Sequence, residues 1–249
     1  MKQAFIHLGR PRDGRERTAP LRRAGGFTLI ELLTVMAIIA ILTALGVGLA
    51  GVASRKSKES ATKAQLAKLT AAIESYHYDF HQYPPDNMDP RSKRVDPIIN
   101  PLFYELSGTV ASQQGRYYQL VDQDTRLSSA QVYGIFHRRG FLNSADAPKR
   151  PKAYLRDLKA RQWAELPLGG VPNVALLVAP VEWPLKNASL QNNAPLRGRV
   201  NDARLWRYNP WQYNSSDPVH NPNSFDLWAD VVIGKTRQII GNWHQSGAE

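Results

Sequence analysis

From Phe27 to Ala53 the chain reads FTLIELLTVMAIIAILTALGVGLAGVA, a run that carries one charge, Glu31. As a helix it reaches about 40 Å, against a hydrocarbon core of ~30 Å. A helix apolar on every side does not end in water; it ends in a core or in a membrane. Lys2, Arg10, Arg12, Arg15, Arg17, Arg22 and Arg23 precede the run with only Asp13 and Glu16 for balance, whereas Arg55, Lys56 and Lys58 follow it. The positive-inside rule therefore places the amino terminus in the cytoplasm and the bulk of the chain outside it. The same leader holds five of the net +11 charges. Much of the basic character is thus a topogenic signal rather than a folded binding surface, and nucleic acid is not expected among the partners.

Two ordinary explanations compete for such a run. One is a secretory signal cleaved late, near Gly51-Val52-Ala53; the other is a plain single-span anchor. Glu31 speaks against both. A carboxylate inside an apolar helix costs at least ~2.5 kcal/mol on insertion scales, so a segment that only had to insert would do better with leucine there. The pair Arg22-Arg23 matches the start of a twin-arginine signal, but no further residue of that motif follows.

Gly26-Phe27-Thr28-Leu29-Ile30-Glu31-Leu32-Leu33 resembles the processing site of type IV prepilins and type II secretion pseudopilins. The resemblance implies a prepilin peptidase that cuts between Gly26 and Phe27 and methylates the new amine. It implies too that Glu31 then neutralises the amino terminus of a neighbouring subunit in a filament. Buried ion pairs are best attested in such register-setting roles. Where many pilins have a helix-loosening proline, this chain has Gly46, Gly48 and Gly51, each a poor helix former at ~1 kcal/mol relative to alanine.

Beyond Ala53 the chain turns polar, with no proline or glycine before Pro84, and Leu66, Leu69, Ile73, Tyr76 and Phe80 recur at helical spacing. That stripe predicts an amphipathic helix continuing the hydrophobic one to about residue 81, resembling a pilin stem packed on a head. His77 and His81 share its face, a spacing that can bind metal, but no completing ligands accompany them and they read as interface residues. Tyr83-Pro84-Pro85 ends the helix, because the residue before a proline avoids the α region.

The expected architecture is α+β: a leader (1–26), a hydrophobic helix (27–53), an amphipathic stem helix (54–85) and a periplasmic head (86–249) built on an antiparallel sheet. Within the head, residues 101–106 predict a short helix stopped at Gly108, and 174–178, 205–208, 225–229 and 238–240 predict strands. Residues 109–170 show no periodicity that organises them. The run 208–243 resembles the end of the major pseudopilin of type II secretion, while roughly 100–205 is longer than that family carries. From this resemblance comes the expectation of a calcium ion in the last loop, with Asp217 and Asp226 as ligands and Asn223, Ser224 and Asp230 nearby. Asp217-Pro218 and Asn221-Pro222 are turn formers whatever they bind.

With no cysteine, thiol catalysis, thiolate metal sites and disulfides are excluded. No GxSxG, HExxH or phosphate-loop pattern occurs, and His137, His220 and His244 stand in separate contexts, so an enzyme is not expected. The resemblance implies as partners the chain itself, other pseudopilins, the peptidase, an inner-membrane assembly platform, and membrane lipid before assembly. The alternatives are a type IV pilus or competence minor pilin and, more remotely, a membrane-anchored hydrolase.

Overall fold

The computed structural model describes residues 26–121, 125–146, 148–168 and 173–243, with backbone alone for 45–50. The leader before Gly26, with its arginine pair, and His244 lie outside the described residues. The chain divides into two units, one ending at Leu49 and one beginning at Ala50.

A single helix, α1, runs from Leu29 to Phe80 and passes Gly46, Gly48 and Gly51 without a break. In the first unit its apolar side chains are bare: Leu29 is 81% exposed and Leu42 is 63% exposed. Among the described residues no helix is long and apolar enough to cross a membrane. The apolar side chains described before the backbone-only residues, 29–44, rise only about 24 Å.

In the second unit α1 supplies one wall of the core. Leu69, Ile73 and Tyr76 are fully buried, with Leu66 and Phe80 packed at the margins. The helix ends where His81 takes a left-handed conformation (φ 55°), two residues before the Tyr-Pro-Pro run. The short helix α2 (Leu102–Ser107) lies in the core and stops at Gly108, whose φ of 80° and close approach to Pro151 demand glycine.

Among the described residues the head carries three sheets where one antiparallel sheet was expected. The first orders β3 (Arg126–Ser128), β2 (Tyr117–Leu120), β1 (Thr109–Ser112) and β4 (Ser144–Asp146), with β1 and β4 parallel. Helix α3 (Ser129–Phe136) follows β3 directly, its start fixed by a Ser128/Gln131 capping box. The parallel pair arises because the chain returns to β1 only after that helical excursion. The second sheet pairs β5 (Trp163–Leu166) with β6 (Val174–Leu177), every residue of β6 being buried. After the short helix α4 (Ala188–Asn192) comes a third sheet, β7 (Gln212–Asn214), β8 (Asp226–Ile233) and β9 (Thr236–Gly241), an antiparallel meander. The Trp211 and Ala179 N–H groups donate to the carbonyls of Leu177 and Asn209, at 2.9 and 2.8 Å, and join the second sheet to the third.

The strand expected over 205–208 is a 3-10 turn, Ala203–Arg207. The Asp202 carboxylate accepts from the Arg204 N–H at 2.9 Å, and the Trp206 ring nitrogen donates to the Val200 carbonyl at 2.7 Å. Those bonds hold the segment in a turn against its alternating pattern. The strands expected over 174–178, 225–229 and 238–240 fall in β6, β8 and β9.

Candidate functional site

The candidate site is the start of α1. Among the described residues nothing lies within 4 Å of where a Cβ on Gly26 would stand, and Phe27 is 83% exposed. Thr28 caps the helix. Its hydroxyl accepts from the Glu31 N–H at 3.2 Å, while a Glu31 oxygen accepts from the Thr28 N–H at 3.4 Å and hydroxyl at 3.3 Å. This reciprocal pair satisfies two of the N–H groups that any helix start leaves without partners. The carboxylate also sits where the helix dipole favours negative charge.

Glu31 thus has hydrogen-bond partners in its own turn, in addition to the neighbouring amine that the resemblance implies. No cation among the described residues pairs with it. All the donors come to one oxygen, Oε2, and among the described residues Oε1 accepts no hydrogen bond. Sequence reasoning missed Thr28, although Thr28-x-x-Glu31 spells a capping box.

The proposed calcium ligands do not form a cation site. Asp226 is buried, and its Oδ2 accepts from the N–H groups of Val219 and His220 at 2.7 and 2.9 Å and contacts His220 Nδ1 at 3.2 Å. Its Oδ1 accepts from the Asn221 N–H and side-chain amide, at 3.0 and 3.1 Å. Both oxygens face donors, the wrong surroundings for a cation that seeks lone pairs. Asp217 is exposed and closes a local turn with Asn214 through its backbone. Among the described residues no group of three or more His, Asp or Glu side chains is placed to hold a metal. His77 stacks on Tyr83 at 4.2 Å between ring centres, and His81 ends the helix.

Two further acids hold the head to the end of the stem. Glu105, fully buried, accepts from the Tyr76 hydroxyl of α1 and from the Leu142 and Asn143 N–H groups, each at 2.9 Å. Burial drives its pKa upward, and the three donors pull the other way. Asp86 accepts from the Ser215 and Ser216 N–H groups, at 3.0 and 2.8 Å, and binds the loop after the stem to the C-terminal meander. Neither acid was singled out from the sequence, because their partners lie far along the chain.

Among the described residues, His137 and His220 stand in separate surroundings. His137 Nδ1 lies 2.8 Å from the Asn87 side-chain oxygen, and the His220 ring stacks on Trp243 at 3.9 Å.

Against known families, the model of the prokaryotic N-terminal methylation motif matches residues 21–51. The chain carries a type IV prepilin-like methylation motif. The matched stretch takes in Gly26, Phe27, the Thr28 cap and Glu31. The motif implies processing by prepilin peptidase, membrane anchoring and filament assembly in general. No curated protein and no solved structure matches the chain.

Proposed function

We propose that this chain is a structural subunit of a pseudopilus, a type IV pilus-like filament, serving type II protein secretion and most like its major pseudopilin. The observation that carries the reading is the methylation motif at the head of a 52-residue helix whose first turns expose apolar side chains all round. An apolar surface of that extent on a lone chain calls for lipid or for other subunits. Before assembly, residues 27–53 anchor the protein in the inner membrane, with the leader cytoplasmic and the head periplasmic. The peptidase cuts after Gly26, where no side chain obstructs the bond, and methylates the Phe27 amine. In the filament that amine meets Glu31 of a neighbour.

The Thr28–Glu31 cap gives this a physical route. In the lone subunit the carboxylate is stabilised locally, which lowers its insertion cost, and Oε1, which accepts no hydrogen bond among the described residues, remains for the incoming amine. The head packs on the second half of α1 as a pilin-like head does on its stem. The protein has no catalytic task in this reading. N-terminal sequencing and intact mass of the membrane-extracted protein test it: a methylated Phe27 terminus is expected, and a chain starting at Met1 or Ser54 would overturn it. Deleting the gene should abolish secretion while leaving surface pili; the reverse phenotype would assign the chain to a type IV pilus.

A further inference from the structure

A concavity of about 620 Å³ opens in the head between α2, the end of β2 and the extended run 150–158. That volume is in the range of ligand pockets. Its floor is apolar: half-buried Trp163 stacks on Phe103 with 5.5 Å between ring centres, beside Leu120 and Leu158. The wall is fixed before anything binds. The N–H groups of Tyr154 and Leu155 both donate to the Leu106 carbonyl, at 2.8 and 3.1 Å. The Asn143 amide donates to the Lys152 carbonyl at 2.7 Å, and the Tyr154 hydroxyl donates to Asp79 at 2.6 Å. Lys152 is itself committed to Asp79.

Arg150 and Arg156 are left on the rim. Both are exposed, and neither forms an ion pair among the described residues. We propose that this groove docks an extended segment of a partner protein in which carboxylates flank an apolar side chain. The apolar floor takes the side chain, and guanidinium groups bind carboxylates in a planar, two-pronged fashion. Tryptophan and arginine are the residue types that dominate interface energetics, and a wall already ordered lowers the entropy lost on binding. A nucleic acid is a poorer fit. Asp157 stands in the lining, so the groove suits separate carboxylates placed at Arg150 and Arg156 better than a continuous phosphate backbone that would have to pass the acid.

The test uses the full chain in lipid nanodiscs and a fluorescein-labelled octapeptide of alternating aspartate and leucine, followed by anisotropy. Saturable binding is expected, weakened about tenfold or more in the double variant Arg150→Glu, Arg156→Glu. Both side chains are exposed, so an unchanged near-ultraviolet circular dichroism spectrum checks that the variant is folded. A peptide with serine for leucine should bind at least tenfold more weakly. Equal binding by the serine peptide or by octathymidylate, or binding untouched by charge reversal, would overturn the proposal. Self-association of the chain that disappeared in the same variant would give the groove to a second copy and would overturn it equally.

Discussion

The two ends of α1 are turns of the same helix with opposite surfaces. Around Leu29–Leu42 each large apolar side chain is at least 48% exposed, while at the other end Leu69, Ile73 and Tyr76 are fully buried in the head. A helix with an apolar stripe finds its partner within the chain; a helix apolar all round needs partners the chain does not contain. The acids follow the same division. Glu31 is held by one turn of its own helix through one oxygen alone, whereas both oxygens of Glu105 accept bonds from segments distant in sequence. The first surface reads as unfinished and the second as complete.

Changing Glu31 should break the unfinished surface with the largest effect. Glu31→Leu removes a charge that costs insertion energy and should reach the membrane at least as well as wild type. It should nevertheless lose filaments, because removing one partner of a buried ion pair commonly costs ~3–5 kcal/mol at each contact. Immunoblots of membranes set against sheared filaments separate the two effects. Normal assembly by the mutant, in a strain making no wild-type protein, would leave Glu31 with its capping role alone.

At the finished end, Ile73→Ala should destabilise the protein by about 2–5 kcal/mol, since a fully buried side chain leaves a cavity in the core of the head. The matching change in the first unit, Ile38→Ala, should leave the thermal melt of the monomer in detergent within about 0.5 kcal/mol, because that side chain is 53% exposed. If the two melts shifted alike, the contrast between the ends of α1 would fail.

A smaller effect is expected from Tyr76→Phe, which takes one donor from a buried carboxylate; a hydrogen bond to a charged group is worth about 1.5–3 kcal/mol. The pH dependence of the wild-type melt follows from burial raising the native pKa of Glu105 above its unfolded value. The native state then binds the proton more tightly than the unfolded state. That contribution is fully present below the ordinary glutamate range and is lost as pH rises through the raised native pKa. Glu105→Gln should flatten this part of the curve, and an unchanged slope would show that the three donors offset burial.

These residues also show what could be read from the chain. The stem stripe was legible because five apolar residues keep one helical period, and the short helix before Gly108 because a glycine marks its stop. Residues 205–208 misled because their alternation resembles a strand, while the capping carboxylate of Asp202 sits just ahead of it. The four-stranded sheet was not legible. Its strands have three or four residues with little alternation, and β1 pairs in parallel with β4 only after the chain has made α3. At the candidate site Gly26, Phe27 and Glu31 stand out from the sequence, and Thr28 was overshadowed by the rarer charge. Asp86 and Glu105 could not be found, since their bonds span 130 and 38 residues.

The smallest effect is expected from calcium removal, which tests whether any acid of the last loop belongs with the unfinished surface. A ligand bound only by the native state stabilises it by mass action, so a resident ion would make the melting temperature fall on chelation. Asp226 is the acid nearest to that role by resemblance, yet it already accepts from the Val219, His220 and Asn221 N–H groups, which fold the 219–221 segment around it. Bringing a cation to either oxygen would require those partly buried donors to turn away and lose their acceptor, at about 0.5–1 kcal/mol each. Adding EDTA to the purified protein should therefore leave the melt unchanged, whereas Asp226→Ala should lower it by about 1–3 kcal/mol through the freed N–H groups. A fall in melting temperature with EDTA, restored by calcium and absent in Asp226→Ala, would show that the loop rearranges around an ion. Asp226 would then join Glu31 as an acid whose working partner lies outside the chain.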